Sequence, residues 1–317
     1  MKRPPLWTTL IPLVVAGAAY YQWWSAQRDA FVADVAAIFG VEGSSGGFPY
    51  RIETGIAKPA LGFDRAGAVA SVSADLIVLN RQTLGEGPVV GQMLQPRLML
   101  AVPAISDAGV NIEARTSSSS LRIANGHVVR FSTVFDAARL RFARLATAAT
   151  ADRFEAHFRE TPAVAVASSD PRFPVQDELV LAATGLRYGK GDPLSFAASL
   201  DLTAKRPVRS FADWRTGGTV EVRRFQLSDR VGDVLTLTAT ASPGSDGQMF
   251  SAGTVDTVCP ATVEAAFAGE TGARELRARR VIRYAFAGPL GRLRLTPLGV
   301  TRVPVRNQEP PCPVLRR

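Results

Sequence analysis

"LRIANGHVVRF", residues 121–131, sets alternating apolar runs on either side of Asn125-Gly126. Both turn residues accept positive φ, and a two-residue loop of that kind matches the twist of the strands it joins. The stretch reads as a β-hairpin, and the same pattern continues outward. In "SVSADLIV", residues 71–78, period two places Val72, Ala74, Leu76 and Val78 on one face. Ser71, Ser73 and Asp75 take the other. Downstream, "ELVLAATGLRYGKGDPLSFAASLDL" (178–202) predicts two strands around Gly189-Lys190-Gly191. "TVEVRRFQLSDRVGDVLTLTATASPGSDGQ" (219–248) predicts two more, one with Val220, Val222 and Leu227, the next with Leu235, Leu237 and Ala239. Asp246-Gly247 then turns the chain again.

The fold class is therefore mainly β: antiparallel hairpins forming a sandwich, a barrel or a curved open sheet, which periodicity does not separate. Helices are few. "CPATVEAAFAGE" (259–270) carries Pro260 in a first turn and Gly269 at a stop. "SFADWR" (210–215) reads as one turn, and "FDAARLRFARLATA" (135–148) fits neither period. No strict internal repeat is visible, only strand, tight turn and strand.

The N-terminus differs in kind. "LWTTLIPLVVAGAAYYQWW", residues 6–24, is free of charge and follows Lys2 and Arg3. Its length suits a membrane-spanning helix. Ala16-Gly17-Ala18 offers a signal-peptidase site after Ala18. The aromatic cluster Tyr20, Tyr21, Trp23 and Trp24 argues for an uncleaved anchor, because such rings favour the membrane interface. The expected layout is a cytoplasmic tail over 1–5, an anchor in a bacterial inner membrane over 6–24 and a juxtamembrane helix over 25–40. A periplasmic β-rich body follows over 41–317, with two halves meeting near 160–175. On the juxtamembrane helix, Phe31, Val35, Ile38 and Phe39 form a stripe that packs on the body or lies on the membrane.

The chain has 317 residues, 46% apolar, enough for a sizeable core. Formal charge is +9, and Arg supplies 33 of the 37 basic residues. Heavy Arg and Ala use with scarce Lys is what a GC-rich genome produces, so the charge alone names no partner. Five arginines concentrate in "ARELRARRVIRYAF" (273–286): Arg274, Arg277, Arg279, Arg280 and Arg283. As a strand, Arg277, Arg279 and Arg283 share a face with Val281, and Arg280 lies with Leu276, Ala278, Ile282 and Tyr284. A solvated face is the plain reading. Export disfavours nucleic acid as partner and leaves anionic lipid or lipopolysaccharide.

Cys259 and Cys312 are the two cysteines. In an exported protein they read as a disulfide; the alternative is two buried thiols. No Walker loop, G-x-G-x-x-G after a strand, H-E-x-x-H or G-x-S-x-G occurs. No catalytic, cofactor-binding or metal-ligating residues are assigned, and no cofactor is expected.

Taken together, the membrane segment, "GFPYRIE" (47–53), "CPATVEAAFAG" (259–269), "ELRARRVIRYAF" (275–286) and the tail "VRNQEPPCP" (305–313) resemble an alphaproteobacterial family, domain of unknown function 2125. The motif residues are Gly47, Phe48, Pro49, Tyr50 and Arg51. The resemblance implies a membrane-anchored envelope protein with a β-rich body and transfers no catalytic residue. Residues 219–256 are also similar, more weakly, to AsmA-type envelope proteins, which are implicated in lipid handling. The functional expectation is a non-enzymatic protein binding lipid or another envelope component, with Phe48, Tyr50, Phe63, Leu76 and Val78 on an early sheet face or in a closed core. An assembly factor binding protein through a sheet edge and an envelope hydrolase are the alternatives.

Overall fold

The computed structural model describes residues 10–65, 67–84, 87–101, 109–142, 148–161, 173–208, 214, 217–244, 248–270, 275–290, 292–299 and 309–315. Helix α1 (Ile11–Phe39) leads into β1 (Ser44–Gly46), β2 (Arg51–Ala57), β3 (Ala60–Arg65), β4 (Ala68–Ser73), β5 (Leu76–Gln82) and β6 (Val89–Leu94). Then come β7 (Arg97–Ala101), β8 (Gly109–Glu113), β9 (Thr116–Ala124), β10 (His127–Phe142), β11 (Ala149–Glu160) and β12 (Val175–Tyr188). The last strands are β13 (Leu194–Thr203), β14 (Thr219–Ser228), β15 (Asp233–Pro243), β16 (Met249–Thr257), β17 (Ile282–Pro289) and β18 (Arg294–Pro297). Helix α2 (Pro260–Ala268) sits between β16 and β17.

All pairings are antiparallel, so the mainly β expectation holds, and the form is one open sheet. The hairpin at Asn125-Gly126 joins β9 to β10, with φ of 51° and 74° at the two turn residues. From β10 to β18 each strand pairs with the next. The β11–β12 ladder carries the sheet across the 160–175 region.

Before β10 the sheet is split. Strands β1, β2, β5, β6 and β9 form one ladder, which joins the first part of β10. Strands β3, β4, β7 and β8 form a second, which joins β10 from Arg139 to Phe142. The two ladders are the halves of long strands broken at the same level. On every second long strand the break is a residue in the left-handed region: Lys58, Gln95 and Ala137 at φ 50°, 51° and 52°. Gly185 continues the line at φ 63°; a Cβ there would collide with the Asp152 side chain. The hydrogen bonds at the break repeat: Lys58 N–H to Asp75 O at 2.9 Å and Gln95 N–H to Arg115 O at 2.9 Å. The register is the same on either side of this row (Ala57 with Leu76 and Ala60 with Ser73, Asp136 with Thr116 and Arg139 with Glu113), so the strands of each pair reset their alternation together and a crease crosses the sheet without bulges. Small or ring-closed side chains, Pro59, Ala74, Pro96, Ala114, Ala138 and Ala151, are buried along it. Phe135, only 1% exposed, packs there with Leu140 and Ala151 from the same sheet face.

The crease corrects two expectations. Strict alternation over 71–78 fails at Ala74-Asp75: Ile77 opposes Ile56 and is buried, while Leu76 and Val78 point away. Residues 135–142 are a strand that fits neither period because Ala137 resets the phase between Phe135 and Leu140. The α2 expectation holds, with Pro260 in its first turn and Gly269 closing it. Most of 210–215 and all of 245–247 lie outside the described residues.

Candidate functional site

Residues opposite one another in an antiparallel ladder share a face, so the register assembles rows across the sheet. One row reads Phe131, Phe158, Leu179, Leu200, Val222 and Ala239. The next reads Thr133, Ala156, Leu181, Ala198, Phe225, Leu237, Val255 and Tyr284. On the opposite face the matching row is Ser132, His157, Val180, Ser199 and Arg224. From β10 to β17 one face is thus mainly apolar and the other largely polar, while on β9 the apolar face carries Ser117 and Ser119.

The two helices cover the ends of the apolar face. Trp24, Phe31 and Val35 of α1 pack on Ile52, Ile56 and Ile77. The stripe on residues 25–40 therefore packs on the body, although Ile38 is exposed. Val263 and Phe267 of α2 pack on Leu235, Val255, Tyr284 and Phe286. Between them, Phe158, Leu179, Leu181, Leu200 and Val222 are half-buried and belong to neither helix's cluster. At roughly 4.8 Å per strand the apolar band from β10 to β14 is about 20 Å wide.

The start of α1 projects away from the sheet. Trp24 Nε1 donates to Arg51 O at 3.1 Å, and Tyr20 donates its hydroxyl proton to Pro49 O. Phe48 packs edge-on against Trp24 and Tyr21, with ring centroids 5.1 and 5.4 Å apart. The Gly47–Arg51 stretch is the turn that seats the helix, with a cis Phe48-Pro49 bond and Arg51 N–H on Gly47 O at 3.0 Å. Sequence reasoning assigned the aromatic cluster to a membrane interface; Trp24 is in fact buried against this turn, while Tyr21 and Trp23 keep exposed edges. Residues 11–19 are exposed all round. Nine helical residues extend about 14 Å. Among the described residues no helix is long and apolar enough to cross a membrane. Within α1 the apolar run gives way at Tyr20 to aromatic, Gln and Arg residues, and residues 6–9 lie outside the described part.

The five-arginine cluster does not converge. Residues 275–281 are not a strand; they lie along the C-terminal tail, with Leu276 bridging Pro311 and Arg277 N–H on Pro310 O at 3.0 Å. Arg277 is buried and pairs with Asp229 at 2.5 Å, against the expectation that it shares a solvated face. Arg279 pairs with Glu309 at 2.7 Å and Arg283 with Asp256 at 2.6 Å. Arg280 is exposed, and Arg274 lies outside the described residues. Cys259 and Cys312 are bonded, at an S–S distance of 2.05 Å, which ties the tail to the start of α2. Glu275 accepts from Ala261 N–H at 3.2 Å and Thr262 N–H at 2.6 Å, satisfying the first turn of α2.

Asp201 and Arg277 are the buried charged side chains among the described residues. Burial raises the Asp201 pKa, and the neighbouring Arg223 guanidinium opposes the shift. Each has an opposite charge in contact, which reads as structural. Among the described residues no three His, Cys, Asp or Glu side chains gather as metal ligands. A cavity of about 300 Å³ lies among Phe173, Lys205, Trp214 and Gly217, at the low end of ligand-site sizes. No motif in the sequence pointed to it. No family model, curated protein or solved structure matches the chain.

Proposed function

We propose that this chain is a single-pass inner-membrane protein whose periplasmic sheet holds acyl chains of lipid or lipopolysaccharide on its apolar face. The observation that carries the reading is the half-buried apolar band of Phe158, Leu179, Leu181, Leu200 and Val222, which neither helix's cluster takes in. A contiguous apolar surface of that breadth marks a binding site more often than a free monomer surface. The exposed start of α1, preceded in sequence by Leu6, Trp7 and the cationic Lys2 and Arg3, supports an anchor with its N-terminus in the cytoplasm. The bond between Cys259 and Cys312 fits an oxidising compartment. The resemblance to domain of unknown function 2125 points the same way. No step of chemistry is assigned to the site; its role is binding.

Photo-crosslinking in intact membranes tests this with the full chain. A photoreactive side chain replacing Leu181 or Leu200 is expected to capture lipid. The same group at Val180, on the opposite face, is expected to capture none. Equal lipid capture at both faces, or protein adducts alone at Leu181 and Leu200, overturns the lipid reading.

A further inference from the structure

The register places four arginines in one row at the end of the sheet from which α1 emerges. Arg51 opposes Gln82, Asn80 opposes Val90 and Val89 opposes Leu121, which sets Arg51, Gln82, Pro88 and Arg122 level. Arg122 opposes Arg130, and Arg130 opposes Arg159. All four point to the polar face, away from Ile52, Leu121, Phe131 and Phe158. Arg51 pairs with Glu53 at 2.9 Å and Arg159 with Glu178 at 2.5 Å. Arg122 and Arg130 sit directly across from each other with no carboxylate partner among the described residues. Like charges facing across a ladder destabilise it, so folding alone gives no reason for the pair.

Past that row, toward the emerging helix, the loops end in apolar side chains. Tyr50 is 86% exposed, Leu84 70% and Ile123 59%, with Phe48 and Val128 also exposed. Thr83 and Tyr20 both donate to Pro49 O, tying the Leu84 loop and α1 to the same turn. Ile123 and Val128 each lie two residues behind the Asn125-Gly126 turn, the turn end carries the His127–Glu160 ion pair, and Arg122 and Arg130 follow the apolar pair by one and two residues, about 3–7 Å along the strands. An apolar rim of Tyr50, Leu84, Ile123 and Val128 with cations directly behind it suits the acyl boundary and phosphate layer of a bilayer.

We infer that the β9–β10 hairpin, with the turn at Phe48–Tyr50 and Leu84, is a second membrane contact, seated in anionic phospholipid with Arg122 and Arg130 on the phosphates. This rests on the proposed anchoring of α1, which puts the same end of the sheet at the bilayer. The seat holds the apolar face edge-on to the membrane, so that its band opens at the leaflet.

The test uses the full chain reconstituted in vesicles, with an environment-sensitive fluorophore on Ile123→Cys and, separately, on Val231→Cys in the β14–β15 turn at the far end. The native cysteines are bonded to each other, so labelling is selective. In phosphatidylglycerol vesicles the probe at 123 is expected to shift to an apolar spectrum while that at 231 stays aqueous. Arg122→Gln and Arg130→Gln are each expected to lower the seated-to-free ratio of the hairpin about fivefold. Bromolipid quenching of the N-terminal indoles, Trp7 and Trp23, reports the anchor independently. Quenched indoles with an aqueous probe at 123 overturn the hairpin contact and leave the anchor standing. Unquenched indoles overturn the anchor itself. An equal shift at 123 in phosphatidylcholine vesicles overturns the role of the arginines.

Discussion

Ala137→Gly is expected to stabilise the fold or leave it unchanged, reversing the usual sign for glycine in a strand. Ala137 lies within β10 at φ 52° and is exposed, so removing its methyl opens no cavity. A left-handed conformation costs an L-residue about 1–2 kcal/mol. Glycine removes that cost but adds about 0.5–1 kcal/mol of backbone entropy lost on folding. The balance is about 0–1.5 kcal/mol in favour of the variant. The control is Ala182→Gly in β12, where φ is ordinary and Ala182 pairs in register with Glu155 and Ala197. There only the entropic cost remains, about 0.5–1 kcal/mol against the variant. Domains of 150–250 residues shift in Tm by about 2–4 °C per kcal/mol, so the two variants should separate by a few degrees. Thermal unfolding followed by circular dichroism, in detergent and without reductant, reads the difference. A Tm for Ala137→Gly at or below that of Ala182→Gly refutes the account of the crease as a row of left-handed breaks.

Three further outcomes are expected. Reducing the Cys259–Cys312 bond, which closes a 53-residue separation, should remove about 4 kcal/mol in the chain-entropy model; an unchanged Tm in reductant refutes that contribution. Arg277→Met leaves Asp229 half-encased without its cation and should cost about 3–5 kcal/mol, with Arg277→Met/Asp229→Asn recovering much of the loss; purely additive costs in the double variant would show that the two side chains are not coupled. Hydrogen bonds from Arg283 to Asp256, from Ser228 and Gln226 to Asp233, and from Arg153 to Glu155 hold these three carboxyls below their ordinary values of 3.8, 3.8 and 4.5. Groups lowered in the folded state contribute stability above those values and lose it as pH falls past them. Asp201, raised by burial, acts in the opposite sense. Melting curves should therefore fall from about pH 4.5 downward, and less steeply in Asp256→Asn; a steeper fall in the variant contradicts the assignment.

Much of the fold was legible because its signals are local. Asn125-Gly126 carries the hairpin by its own backbone preferences, and Pro260 with Gly269 bounds α2 without help from elsewhere. The crease was not legible for the opposite reason. A left-handed break at Lys58 or Gln95 has no side-chain signature, since neither residue favours positive φ, and both are held there by the neighbouring strands. The break also resets the phase of alternation, so a face read forward from Val72 is wrong by Leu76. The trace the crease leaves in sequence is a scatter of compact residues, Pro59, Ala74, Pro96, Ala114, Ala138 and Ala151, with Gly185, too far apart along the chain to be read as one feature.

Charge behaves the same way, and it decides which arginines face a ligand. Arg274 to Arg283 are crowded along the chain, and as a strand Arg277, Arg279 and Arg283 would share one solvated face. Yet Arg277, Arg279 and Arg283 each meet a carboxylate from a distant segment, Asp229, Glu309 and Asp256. Arg122 and Arg130 are separated by a turn and look unremarkable until the ladder sets them face to face. An unopposed charge is a property of register, because register alone determines whether the cross-strand neighbour carries the same sign or the opposite one. In a meander whose long strands shift phase at the crease, register is the least local quantity in the molecule. The Arg122–Arg130 pair at the α1 end of the sheet is such a charge, set by register in residues that no run of like charge announces.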